Sequence, residues 1–374
     1  MLAAAAAATM LAACGGGGDG GAGAGAPAAN STAGPAGGTG VTGSQAAASP
    51  APAAPITAAQ ARACYAVSGN PAAPVTGAVG MLPARGAAGV SGYHVLDDAR
   101  AAGLCYANYR REQVGLPPLG VRDPLGTAAQ NHSAYMLANQ LLTHDESAGQ
   151  PGFTGATAET RIQALYPTNA TAEVVATANK WTSVAGANLT LAPRDALVVD
   201  LINAPFHRAA LLGGYASAGS GYAERVGAGS NGGTAASYYQ TIDLADASPG
   251  GAANLMVAYP YDGQADVPAS WVNHESPDPA PAYAGRTVGY PVTLQAIDSA
   301  LAFNADTFTI TDAQGRNVDC AKVDARTAGM ASAARGLAIC TPLAPLASGQ
   351  RYHVTVTGTL GGQGVNLSWA FTTL

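Results

Sequence analysis

NAPFHRAALL, residues 203 to 212, is the stretch on which the reading of this chain turns. The run before it, Pro193 to Ile202 (PRDALVVDLI), has helical spacing, and Ala204-Pro205 breaks it. His207-Arg208 follows the break at once. Upstream, Thr143-His144-Asp145-Glu146 supplies a second imidazole beside carboxylates. Two imidazoles and several carboxylates meeting in one cleft is the arrangement expected.

Working outward, helical order begins at Asp97, where DDARAAGLCYANYRREQ places Ala101, Leu104, Cys105, Asn108 and Tyr109 on one face; Gly115 and Pro117 end it. A second helix is marked by Asp123 as N-cap and Pro124 at the first helical position. Its inward stripe runs Leu125, Ala128, Ala129, His132, Tyr135, Met136 and Asn139. His132 on that stripe reads as a hydrogen-bonded core residue rather than a ligand. A short helix is expected around Ala158 to Leu165, and Glu173-Val174-Val175-Ala176 opens a strand. Two further strands, Gly219 to Val226 and Ser237 to Leu244, flank a Gly-rich turn. Helices and strands in this mixed order predict an α+β sandwich.

Beyond about Gly251 the helical signals stop. Leu255 to Tyr259, Tyr290 to Ala296, Thr307 to Thr311, Tyr352 to Thr357 and Leu367 to Thr372 are short strand-like runs divided by turn residues and by the Pro-rich WVNHESPDPAPAYAG. They predict an all-β, immunoglobulin-like sandwich with Trp369 and Phe371 on one buried face.

The N-terminal end has another character. Met1 to Cys14 (MLAAAAAATMLAAC) is an apolar run closing on Leu11-Ala12-Ala13-Cys14. It is too short to span a bilayer and reads as a secretion signal. The tetrapeptide resembles the bacterial lipobox, which implies acylation of Cys14, although no Lys or Arg precedes the apolar run. Gly15 to about Pro55 has almost no large apolar residue and reads as a flexible tether. Ala58 to Tyr65 is expected to form a short helix, and Ser68 to Gly92 a surface loop.

Setting Cys14 aside, Cys64, Cys105, Cys320 and Cys340 remain, an even number in an exported chain. Of three connectivities, Cys64 to Cys105 with Cys320 to Cys340 is preferred because each pair stays within one unit. Only 11% of residues are charged, the net charge is -6, and the only lysines are Lys180 and Lys322, so nucleic acid is not an expected partner. Three G-x-G-x-x-G matches occur, but none follows a strand and opens a helix, so no dinucleotide is implied.

Tyr106 to Leu244 resembles the CAP superfamily, which includes cysteine-rich secretory proteins, insect venom antigens, plant pathogenesis-related proteins and many bacterial exported proteins. The residues that carry the likeness are NYRREQVGLPPL (108 to 119), AAQNHSAYMLANQLLTH (128 to 144), PGFTG (151 to 155), APFHRAALL (204 to 212) and the closing GSGYAE and YYQTIDL. The resemblance implies a CAP-type αβα sandwich followed by the Ig-like sandwich. The layout expected is then a signal peptide at 1 to 14, a tether at 15 to 55, the CAP unit with an irregular N-terminal extension at 56 to 250, and the Ig-like unit at 251 to 374.

The resemblance also implies a cleft in which two His and two Glu converge and which holds a divalent cation in several members. His144 and His207 match the two histidines and Glu173 matches one glutamate, although Val174-Val175 replaces the usual following Asn. Glu146 is the nearest second carboxylate, with Asp145 and Glu159 as rivals. His144, His207 and Glu173 are therefore the candidate ligands of Zn or another divalent cation.

Three functions follow from these readings. One is a lipid-anchored binding protein of the cell envelope, or an extracellular one, taking a small molecule, lipid or protein ligand. The second is a metal-dependent or His/Glu-assisted hydrolase, against which stands the lack of H-E-x-x-H, of G-x-S-x-G and of a spare Cys. The third is a purely structural surface protein. Binding is preferred, because catalysis is seldom established in the family.

Overall fold

A computed structural model describes residues 54–70, 73, 77–229, 232–247 and 254–374, and the backbone of 8–16. The first seven residues of the expected signal peptide and most of the expected tether, 17–53, lie outside the described residues.

β1 (Ala8–Gly16) runs antiparallel along the outer edge of a sheet described below. Gln60–Arg62 is a single 3-10 turn, closed by the reciprocal bonds between Thr57 and Gln60, instead of the helix expected over 58 to 65. The chain must then turn to bring Cys64 onto Cys105. β2 (Ala66–Val67) comes just before the expected surface loop, which itself holds the two-residue strands β3 (Gly80–Met81) and β4 (Val90–Ser91) and the one-turn helix α1 (Gly86–Gly89). β2 pairs with β4.

α2 (Ala99–Gln113) starts where the Asp98 carboxylate accepts from the N–H groups of Arg100 and Ala101, a conventional N-cap. Buried Asn108 then fixes what precedes and follows the helix, donating to Ala61 O and accepting from Leu119 N. After β5 (Gly120–Val121) comes α3 (Asp123–Asn139). Arg122, not Asp123, is its cap; Asp123 opens the helix and its carboxylate makes no capping bond, so the expectation was one residue late. α4 (Ala158–Leu165) is capped by Thr157 Oγ1 accepting from Thr160 N. β6 (Thr171–Thr182), α5 (Ala196–Asn203), α6 (Pro205–Leu211), β7 (Tyr215–Ala228) and β8 (Thr234–Ala247) complete this unit.

The sheet order is β1-β6-β8-β7-β5. Alternation along β6 sends Val174, Ala176 and Ala178 into the core with Leu104, Val198 and Leu201 of α2 and α5, and Val175 to the other side with Tyr135 and Met136 of α3. Helices therefore cover both faces. α3 lies unusually close to β7: a Cβ on Gly219 or Gly221 would fall 2.0 or 2.2 Å from helix backbone atoms, which is why glycine stands at both places in the GSG of that strand.

The C-terminal unit holds β9 (Leu255–Tyr259), β10 (Ser270–Val272), β11 (Thr287–Gly289), β12 (Val292–Ala296), β13 (Phe303–Thr311), β14 (Asn317–Val318), β15 (Cys320–Val323), β16 (Leu337–Pro342), β17 (Arg351–Leu360) and β18 (Gln363–Thr372). They make one sheet of order β15-β16-β12-β9-β3 and another of order β14-β13-β17-β18, with β10-β11 a separate ribbon. Trp369 and Phe371 are both buried, beside Phe308 and Tyr352 respectively. Cys320 and Cys340 are bonded across β15 and β16. The sheets do not respect the division at residue 250, because β3, from the N-terminal extension, pairs in parallel with β9.

One continuous apolar cluster joins the two units. Fully buried Arg208 sits between the rings of Tyr259 and Tyr290, 4.8 and 5.3 Å from their centroids, and donates to Pro291 O at 2.8 Å. Gln295 Nε2 donates to Ala209 O and Leu212 O, both at 3.0 Å, and Arg110 meets Asp266 at 3.0 Å. Phe206 packs into a cluster otherwise formed by Val323, Ala334, Leu337 and Ile339.

Candidate ligand site

Four segments of the N-terminal unit deliver one buried ionic cluster. α3 turns His132 inward, the following loop brings His144 and Glu146, α4 supplies Arg161, and β6 supplies Glu173 opposite Asp243 of β8. His144 Nδ1 lies 2.8 Å from Glu173 Oε1, and Arg161 Nη2 donates to Glu173 Oε2 at 2.7 Å. His132 Nδ1 is 2.9 Å from Glu146 Oε1 and its Nε2 is 2.8 Å from Thr143 O. Both ring nitrogens thus face oxygen acceptors. Glu146 also accepts from Thr154 N at 2.6 Å and stands 3.6 Å from Arg161 Nε.

The electrostatics follow from burial and charge together. Desolvation opposes ionisation of Glu173, but the His144 hydrogen bond and the positive charges of His132, Arg161 and His144 outweigh it and pull its pKa from 4.5 to about 2. Asp243 goes the other way: burial and the negative charge of Glu173 push its carboxyl well above the ordinary range, against the pull of Arg161. Two facing carboxyls thus divide into one anion and one acid, because both cannot ionise side by side.

Among the described residues no group of three or more His, Cys, Asp or Glu is arranged to hold a metal. The donors do not fit one as they stand. Glu173 already meets His144 and Arg161, Glu146 meets His132 and Thr154, and the guanidinium brings the positive charge an ion would otherwise supply.

His207 lies apart from this cluster, on α6. Its Nδ1 is 2.7 Å from Glu275 Oε1, and the same oxygen accepts from Phe206 N at 2.8 Å and His207 N at 2.9 Å. A carboxylate from the C-terminal unit therefore caps α6 and holds the imidazole. Asn273 shapes the loop that presents it, donating to Asp278 Oδ1 and Ala280 O. With Nδ1 donating to Glu275, the other nitrogen, Nε2, is buried and has no hydrogen-bond partner among the described residues. His207 is also part of the lining of a cavity of about 250 Å³, with Glu173 and Val174 of β6, Phe206 and Ala210 of α6, and residues of the C-terminal unit.

The structure therefore brings His144, Glu146 and Glu173 together through His132 and Arg161, while His207 bonds to Glu275 and shares only the cavity with Glu173. Asp145 and Glu159, the rival carboxylates, are exposed. Cys14 falls within β1. Sequence reading missed Arg161, Asp243 and Glu275 as participants and took His132 for a core residue alone. The signal available was scarcity: where 11% of residues are charged, a buried Arg on a short helix or a Glu in a Pro-rich loop stands out.

Comparison with known proteins places this geometry. Residues 104–244 match the model of the CAP (Cysteine-rich secretory protein) family, so the ionic cluster and His207 fall within the matched segment, whereas Glu275 lies outside it. No curated protein matches the chain. The two disulfides agree with the secreted character of that family, and no helix among the described residues is long and apolar enough to cross a membrane.

Proposed function

We propose that this is an exported CAP-domain protein of the cell envelope, anchored through an acylated Cys14, that binds a small molecule in the cavity between its CAP unit and an Ig-like C-terminal unit. The observation that carries the reading is the cavity itself. Glu173 and His207, far apart in sequence, both line a space of about 250 Å³ that is walled by both units and partly apolar, with few polar groups converging on it. That volume favours a small molecule over a protein segment or an extended lipid. The ionic cluster behind Glu173 serves as a rigid floor.

A fragment library screened by ligand-observed NMR on the full chain tests this. Wild type should return binders that an Ala210→Trp variant, with the cavity filled, does not. An inert wild type, or binders untouched by the tryptophan, would sink the reading. The anchor is tested separately by intact-mass analysis of protein from bacterial membranes, where an acylated Cys14 is expected and an unmodified Met1 start would refute it.

One observation favours hydrolysis as the second reading. A glutamate held on Nδ1 of a histidine that lines a cavity, its other nitrogen without a partner among the described residues, is how a general base is commonly arranged. Ester or peptide turnover that disappears in His207→Ala would move the assignment there.

A further inference from the structure

The opposite wall of the cavity belongs to the C-terminal unit and includes Pro277, Gln295, Ser299, Arg335 and Leu337. Arg335 is the only cationic residue of the lining, and its Nε is held by Ala300 O at 3.0 Å, which fixes the plane of the guanidinium at the cavity edge. Glu173, the only carboxylate of the lining, has both oxygens engaged by His144 and Arg161 and presents little uncompensated negative charge. His207 is fully buried, and Glu275, which can only accept when ionised, leaves the Nδ1 hydrogen on its own side. Nδ1 is turned to a carboxylate oxygen that already accepts from two backbone N–H groups, so Nε2 is the ring nitrogen left without a partner among the described residues, in a side chain that lines the cavity.

We infer that the C-terminal unit completes the binding site and selects a small carboxylate that also carries a hydroxyl or ammonium donor. The carboxylate pairs with the Arg335 guanidinium, the donor bonds to His207 Nε2, and Glu275 is the positioning residue that fixes the imidazole. Phe206, Leu337 and Val174 receive the apolar remainder. About 250 Å³ is below the usual drug-sized range of roughly 300–1,000 Å³, so the ligand is of the size of a hydroxy or amino acid. The inference rests on the small-molecule reading of the same cavity.

Three probes separate the elements of recognition: 3-phenyllactate, 3-phenylpropionate without the hydroxyl, and 2-phenylethanol without the carboxylate. Each is titrated by NMR into the full-length protein and into Arg335→Gln and Glu275→Gln. In wild type, phenyllactate should bind about tenfold tighter than either truncated probe. Arg335→Gln should abolish the advantage over 2-phenylethanol. Glu275→Gln should shrink the advantage over phenylpropionate and shift the His207 tautomer signals in long-range ¹H–¹⁵N spectra, whereas general loss of structure would weaken all three probes alike. Equal binding of the three by wild type, no binding of phenyllactate, or an unchanged preference in Arg335→Gln overturns the inference. If fragments sensitive to Ala210→Trp are found even so, the cavity reading survives, and if none is found both fall.

Discussion

The molecule contains two histidine–carboxylate arrangements that look alike on paper and differ in kind. At β6, His132, His144, Glu146, Glu173 and Arg161 spend most of their hydrogen bonds on one another, and every member comes from the N-terminal unit. At α6, His207, which lines the cavity, spends one nitrogen on a glutamate 68 residues downstream and leaves the other without a partner among the described residues. The difference teaches that polar side chains gathered in a core do not by themselves make a site. A buried network with its charges matched is a structural element, and reactivity or binding belongs to the group left with capacity to spare.

The largest effect that would sharpen this contrast is expected from Arg161→Met. Glu146 and Glu173 would lose their shared cation inside the protein, and breaking such a buried pair costs about 3–5 kcal/mol by denaturant unfolding near neutral pH. A change below about 1 kcal/mol would mean that the cluster is not held by charge. Glu275→Ala comes next. It strips the partner from two helix N–H groups and one imidazole nitrogen, for a loss of about 2–3 kcal/mol, with α6 and the unit interface loosening in hydrogen exchange. Protection lost around β6 instead would erase the distinction between the two arrangements.

A smaller effect separates the two facing carboxyls. Glu173, whose folded pKa of about 2 is below its ordinary 4.5, contributes stability that is present above pH 4.5 and lost as pH falls towards 2. Asp243 has the opposite sign: its raised pKa means that its acid form suits the fold, and stability is lost as pH rises through the folded value. Asp243→Asn should therefore stay within about 1 kcal/mol of wild type at pH 5, gain on wild type at alkaline pH, and retain the acid loss. Parallel stability–pH curves for the two proteins would show that Asp243 does not hold the proton. Least of all should change in Asp145→Asn and Glu159→Gln, both exposed, where stability shifts within about 0.5 kcal/mol are expected by thermal unfolding. A large loss in either would reinstate it as the second carboxylate.

What could be read from the sequence was whatever repeats locally or keeps its partner close. The inward stripe of α3, the break before α6, the two flanking strands after it and the disulfide within each unit all follow from spacing over a few residues or from pairing within a unit. His144, Glu146 and Glu173 could be picked out, but not the means of joining them, because Arg161 sits next to Ile162 on a helix of eight residues with no period to mark its inward turn. Asp243 belongs to a strand buried on both faces, where alternation gives no clue to an acid's partner. Glu275 was beyond reach: it comes from a Pro-rich loop, and only the packing of one unit on the other brings it to α6. The start of α3 was misjudged by a residue, because Asp at such a position can serve as a cap or as a first-turn acid against the helix dipole.

Gly80–Met81 precedes α2 to α6 in the chain yet lies in the same sheet as Leu255–Tyr259. As the polypeptide emerges from whatever machinery makes or exports it, that early segment has no strand to pair with until the whole N-terminal unit has passed. The first half must therefore wait for the second to finish its own edge, and a chain interrupted between them would be left with an open end for quality control to recognise.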